Sequence, residues 1–464
     1  MANGLKAAKP AGSVILANIH TGGYATPSGP NDPDFRTAEG TAISGIPGMN
    51  ISGYPTGSIN RHTFSGKTAM ALNRGEWNKY ADSILATPSY VNIALQGSLN
   101  VATRTLTVQV QAYYTGNSPV ATNNLTVMLL EDEVFGPQIG ANAWYPEMIN
   151  EDGSYTHNHL LRKVLTTAAT GEVITTTTSG TTVNKTYTYQ IPAQYVNVAP
   201  VLGNFQLAGF IAESSSEIVT AAYGPITLTG FEFAKDAHLQ SASTEAAVCA
   251  GVLNPKVKIY NNGSSTITSA VIEYKVNGGT VSTFNYAGSI LPATHKNVTL
   301  PAITFTPTAL NDLTVNITTV NGSADQNAAN STITVNDVPL TTKMAGNQSM
   351  TMNFTQDRYG SESSWKVFED GTTTVVAQDG PFVDLSANGV QLNTKTFTID
   401  PSKCYKLEVY DTYGDGINAG AGAGKYELLS GATIVASSNG NYGKGEVNWY
   451  KSESVLGLSD LINV

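Results

Sequence analysis

Two short acidic stretches echo one another at a fixed offset: Asp357-Arg358-Tyr359-Gly360-Ser361-Glu362 and Asp411-Thr412-Tyr413-Gly414-Asp415-Gly416. Each follows a strand-like run (MTMNFTQ, CYKLEVY) and precedes another (WKVFEDG, KYELLSG). Asp411 and Asp415 lie four apart in a Gly-containing loop, so the chain can curl and aim both carboxylates at one point. Gly414 and Gly416 permit the positive φ that such a curl needs. If the repeats are two halves of one jelly roll, Asp357 and Glu362 arrive at the same edge. Several carboxylates at one point repel unless a cation joins them. An irregular, oxygen-only loop suits Ca²⁺, with its six to eight ligands, better than the tight octahedron of Mg²⁺. The stretch is not an EF-hand loop, since the bidentate Glu at the twelfth position is missing. A plainer reading has each Asp capping its own turn. The sequence leaves both readings open.

Other chemistries have weaker signals. Of six histidines, only His157 and His159 are close in sequence. On a strand, His-x-His would put both rings on one face, as a metal site requires. THNHLLRKVL instead reads as partly helical, so His157 and His159 are assigned a structural role, capping and orienting that helix. The glycines of NAGAGAGKY lack the Gly-Lys-Ser/Thr of a phosphate loop and precede a strand, which makes them a strand connection. No Gly-x-Ser-x-Gly elbow is present. Cys249 and Cys404 form no Cys-x-x-Cys, and they are expected to be separate buried thiols. In GYPTGSINR, the Tyr54–Pro55 pair is a candidate cis bond. Arg61 is expected to be structural, its fork tying down loop carbonyls or a carboxylate.

The elements that must position these residues are mostly strands. Only 13 % of the 464 residues are charged, against roughly 25 % in an average soluble domain, while 41 % are hydrophobic. A core can form, and Thr, Ser, Asn and Gln must cover it. The net charge of −10 and the absence of a Lys/Arg cluster argue against nucleic acid or an anionic membrane as partner. No apolar run approaches the ~18 residues of a transmembrane segment. MANGLKAAKP lacks the apolar core of a signal peptide, so any export signal is expected to have been removed or never to have been part of this sequence.

Residues 1–88 read as α/β: a buried strand over 13–20, a short helix in RTAEGTAISGI, and an amphipathic helix over 73–86 with Asn73 as N-cap. From about 89 the period changes to two. TRTLTVQVQAYYTG and NNLTVMLLED read as a hairpin, and SYTHNHLLRKVLT as a helical interruption. The expected divisions are an α/β domain over 1–88, a β-sandwich with a short helix over 89–223, an Ig-like sandwich over 224–338, a jelly roll over 339–450 and a linker over 451–464. Ile272, Tyr274 and Val276 should share one buried face.

NIHTGGY, GYPTGSINR, NRGEWNKYADSIL and YTHNHLLRKVL together resemble the Bacteroidota outer-membrane-associated surface proteins that carry a thioredoxin-like front domain. The resemblance covers roughly residues 1–223. It implies an incomplete thioredoxin-like α/β domain without redox cysteines and with Pro55 in the cis-proline position. NPKVKIYNNGSSTITSAVIEYKVNGG resembles the Ig-like modules of such proteins. DRYGSESSW and YDTYGDGI resemble a jelly-roll module of type IX secretion cargo, and GLSDLINV the stretch before a sorting domain. The implied role is non-enzymatic: adhesion, extracellular filament or matrix assembly, or ligand binding at the cell surface. The implied partners are the type IX machinery during export, further copies of the chain, and a cell-surface glycan or host protein. Two alternatives remain, a thiol-disulfide oxidoreductase-like protein whose redox motif is missing from this chain, and a carbohydrate-binding module. The second would use Tyr359, Trp365, Tyr413, Tyr442 and Trp449 as a stacking platform.

Overall fold

Alternation of apolar and polar residues from Val91 onward builds three successive two-sheet β-sandwiches, so the protein is mostly β and multidomain. The structure, a computed structural model, describes residues 2–27, 29, 32–138, 146–150, 154–166, 170–249, 251–341, 344–345, 348–400 and 403–452. The expected linker over 451–464 lies outside the described residues beyond Ser452.

The first sandwich comprises β1 (Val91–Asn100), β2 (Thr105–Tyr114), β3 (Asn123–Glu131), β4 (Val134–Gly136), β5 (Tyr155–His157), β6 (Leu160–Val164), β7 (Thr182–Gln190), β8 (Phe205–Ala212), β9 (Ile218–Gly224) and β10 (Ile226–Thr229). One sheet has the order β7-β2-β1-β10 and the other β9-β8-β3-β6. Between them lie Leu99, Leu106, Val108, Leu125, Val127, Leu129 and Leu207, all essentially inaccessible. The hairpin expected from β2 and β3 does not form: the two strands belong to opposite sheets, and β2 pairs instead with β1 and β7. The linking residues 115–122 arch across the sandwich. β10 pairs in parallel with β1, carrying this sandwich past the expected end at 223.

The second sandwich comprises β11 (Ala237–Ser243), β12 (Lys256–Asn261), β13 (Ile267–Val276), β14 (Ser282–Ile290), β15 (His295–Thr299), β16 (Leu310–Val320) and β17 (Thr332–Pro339). Sheet β11-β12-β15 faces sheet β14-β13-β16, on which β17 also pairs. Ile272, Tyr274 and Val276 point into its core. The third comprises β18 (Ser349–Gln356), β19 (Ser363–Glu369), β20 (Val375–Asp379), β21 (Gln391–Thr398), β22 (Cys404–Asp411), β23 (Lys425–Ser430), β24 (Thr433–Ser438) and β25 (Gly445–Ser452). Its sheets are β25-β22-β19-β20 and β21-β18-β23-β24, and Trp365, Phe354, Tyr405, Tyr426 and Tyr450 fill the space between them.

The described residues of 2–88 carry three α-helices, α1 (Ala2–Ala7), α2 (Ala38–Ser44) and α3 (Trp77–Leu85). Thr37 caps α2 by accepting the Gly40 N–H at 2.9 Å. A 3₁₀ turn over Arg74–Glu76 leads into α3, and Asn73 precedes it without a side-chain capping bond. The buried strand expected over 13–20 is replaced by irregular chain with isolated bridges at Asn18 and His20. The reason is local: Leu16 N–H donates to the Tyr223 hydroxyl at 2.7 Å, so a side chain takes the place of a neighbouring strand. The only ladder among the described front residues joins Gly57–Ser58 to Ala71–Leu72. The segment lies as a layer on the first sandwich. Ile43 and Ile46 pack against Met128, Leu130, Leu161 and Phe210 on the outer face of β3, β6 and β8.

That layer explains a second correction. SYTHNHLLRKVLT is not helical but forms β5 and β6. Four of the five residues of β6 are buried, because the strand has a packed surface on both sides. The alternation that marks a half-buried strand is therefore lost.

The two cysteines are a third correction. Cys249 and Cys404 are joined in a disulfide, with Cα atoms 5.7 Å apart, rather than free. Val248 N–H donates to Pro339 O at 2.9 Å, and Thr341 N–H to Val248 O at 2.8 Å. The Thr341 hydroxyl donates to Trp449 O at 3.0 Å. The exit of the second sandwich is thereby laid between Val248 and β25, whose neighbour β22 begins at Cys404. No sequence spacing records that contact.

Candidate metal centre

β18 ends in one sheet of the third sandwich and β19 begins in the other, so residues 357–362 arch across its end. β22 and β23 repeat the crossing in the reverse direction with residues 412–424. Both arches lie at one end because Ser363, the first residue of β19, pairs with Asp411, the last of β22. Glu362 and Asp411 are thus brought together by strand register. One carboxylate oxygen each from Glu362, Asp411 and Asp415 lie within 4.8 Å of one another.

Asp411 is 4 % exposed, and its Oδ1 accepts the Gly414 N–H at 2.5 Å, so it does cap its own turn. Gly414 and Gly416 have φ of 97° and 77°, the left-handed region glycine adopts freely. Asp357, also 4 % exposed, accepts the Tyr359 N–H at 3.0 Å. The second arch passes directly over it: a Cβ on Gly422 would lie 3.0 Å from the Asp357 Cβ. None of these four carboxylates forms an ion pair among the described residues.

Burial and mutual repulsion disfavour their charged forms. Glu362 is pushed up to about 7 by desolvation and then by Asp411, Asp415, Asp357 and Asp384. Asp411 is pushed up to about 6, chiefly by desolvation, with Asp415 and Asp357 adding repulsion. Asp357 and Asp415 shift upward for the same first reason. Such a group attracts a cation, and oxygen-only donors favour a hard one.

Strand parity places one further group here. Along β19, Ser363, Trp365 and Val367 face inward, and along β22 so do Tyr405, Leu407, Val409 and Asp411. Ser363 therefore stands beside Asp411 on the inner face, with cross-strand Cβ atoms of such a pair roughly 5 Å apart. Ser363 is 1 % exposed, and its Oγ has no partner of hydrogen-bonding geometry, although the Tyr442 phenol lies toward it. Nothing in the loop motifs singles out this serine; only the register does. Of the aromatic residues weighed as a glycan platform, Trp365 is core, whereas Tyr359 and Tyr413 are 42 % and 40 % exposed on the two arches.

The remaining singled-out residues serve the front layer. The Tyr54–Pro55 peptide is cis. Arg61 is buried with φ 50°, donates from Nη1 to Ser215 O at 3.2 Å and stacks 4.9 Å over the Phe210 ring. Burial lowers its guanidinium to about 10. His157 and His159 turn to different neighbours. His157 packs against His20, Phe35 and Tyr155. His159 N–H donates to Asp132 Oδ1 at 2.6 Å, and its ring lies beside Tyr223. They orient a strand pair rather than a helix.

Residues 47–222 match the protein family described as outer membrane protein Omp28. No curated protein matches the chain. Among solved structures, HBP35 of Porphyromonas gingivalis is 14 % identical, with 64 % of this chain and 78 % of that one covered at a TM-score of 0.32. A domain of the outer membrane lipoprotein Omp28 from Porphyromonas gingivalis is also 14 % identical, with 31 % of this chain and 93 % of that one covered at a TM-score of 0.21.

Proposed function

We propose that this chain is a non-enzymatic, outer-membrane-associated protein of the bacterial cell surface, of the kind found in Bacteroidota. The match of residues 47–222 to an outer membrane protein family carries that reading. The three β-sandwiches in series support it, as does the disulfide between the second and third, a bond that persists in oxidising compartments. No helix among the described residues is long and apolar enough to cross a membrane, which leaves β-barrels unaddressed. The role is display: serial modules that present surface for adhesion, assembly or ligand binding. Export by the type IX machinery is part of the proposal.

The test is surface labelling of intact cells that make the protein, with a membrane-impermeant biotin reagent, followed by fractionation. The protein should be labelled and should sediment with the outer membrane. In cells lacking the type IX translocon it should be shielded in the periplasm. Recovery of unlabelled protein from the cytoplasm of wild-type cells would overturn the assignment, and unchanged labelling in the mutant would overturn the export route.

A further inference from the structure

We propose that the third sandwich holds one Ca²⁺ at the end where its two arches meet, with Glu362, Asp411 and Asp415 as carboxylate ligands and the Ser363 hydroxyl facing the ion. The inference concerns the module alone and stands whether or not the surface assignment does.

The geometry supplies the first argument. Oxygens on opposite sides of a Ca²⁺, each at roughly 2.4 Å, are separated by about 4.8 Å. The three carboxylate oxygens lie pairwise within that limit, the spacing that ligands of one shared ion require. They come from both arches, Glu362 from the first and Asp411 and Asp415 from the second. The ion therefore acts as a clamp between two crossings that register alone brings side by side.

Ser363 supplies the second, independent argument. Turn capping accounts for one oxygen of Asp411 and one of Asp357. It does not account for a hydroxyl on a residue 1 % exposed that stands inward beside Asp411, with the Tyr442 phenol toward it but no partner of hydrogen-bonding geometry. A buried polar group left unsatisfied is destabilising. A cation, or a water in its shell, gives that oxygen a use.

The experiment uses the full chain and Ca²⁺ itself as probe. Calorimetric titration should show one saturable ion per chain. Scanning calorimetry at about 5 mM Ca²⁺, a level suited to extracellular modules, should move one unfolding transition upward by at least about 3 °C relative to chelator. Mg²⁺ at equal concentration should move it less. The isosteric variants Glu362→Gln and Asp415→Asn should lose the calcium shift. In chelator they should unfold at or above the wild-type temperature, because each removes repulsion while keeping an acceptor oxygen. A clamp predicts both behaviours; a purely turn-forming role predicts that the variants are weaker in chelator. No calcium shift in the wild type, or variants that are weaker in chelator and still respond to Ca²⁺, would overturn the proposal.

Discussion

His20 and His157 meet edge to face, with ring centroids 5.1 Å apart, in a pocket bounded by Phe35 and by Arg162. Arg162 Nε donates to Glu131 Oε2 at 2.6 Å, and Glu131 Oε1 accepts the Val201 N–H at 2.7 Å, so this buried ion pair is anchored to the backbone. Desolvation, with Arg162 adding repulsion, lowers both histidines to about 4. A base with a depressed folded pKa binds fewer protons folded than unfolded. The stability it confers is full above about 6.5 and is lost as pH falls toward 4. The transition of the first sandwich should therefore weaken across that window, by up to about 3 kcal/mol for each histidine. His157→Gln should flatten the pH dependence of its melting temperature measured between pH 7 and 4. An unchanged slope would assign the acid sensitivity elsewhere. None of this was legible in the sequence, because His20 and His157 are brought together only when the front layer docks.

At the scale of elements, what was legible is what local chemistry decides. α2 was legible as the short helix of RTAEGTAISGI and α3 through its apolar spacing. The two acidic arches were legible as repeats because each is flanked by alternating strands. Elements buried on both faces were not: β6 read as helix, and the run of β3 did not show which sheet it joins. Both lie between the sandwich interior and the front layer, so periodicity carries no facing information there. The same double burial makes a prediction. Ile43→Ala should remove packing beneath α2 and destabilise the protein by about 2–4 kcal/mol. With Ile46→Ala added, the face of Met128, Leu130 and Phe210 should bind a hydrophobic dye before global unfolding begins. A double variant with wild-type melting and no dye binding would mean that the layer does not support the sandwich.

Across the whole molecule, the modules are joined by more than the running chain. Gly203 N–H donates to Ala293 O at 3.0 Å, and Phe135 meets His295 edge to face, so the first and second sandwiches touch through loops. Tyr260 of the second also packs at the margin of the first core. Between the second and third, the strand exit and the Cys249–Cys404 bond fasten the same place twice. Composition foretold the serial sandwiches, but these joints depend on residues far apart in sequence that no periodicity links.

The bond between Cys249 and Cys404 also decides how the molecule bears load. The cysteines are 155 positions apart, and between them lies nearly all of the second sandwich and the first half of the third. When the chain is pulled by its two ends, tension passes across the sulfurs and bypasses everything enclosed. Those enclosed strands can be held under force without being drawn out. Stretched by optical tweezers through handles on its ends, the oxidised protein should therefore extend about 500 Å less at full unfolding than the reduced one, at about 3.3 Å for each enclosed residue. Equal lengths in the two states would show that the bridge does not form. For a protein exposed to shear at a cell surface, such a bypass makes the second module an element that is carried along a tether rather than a link within it.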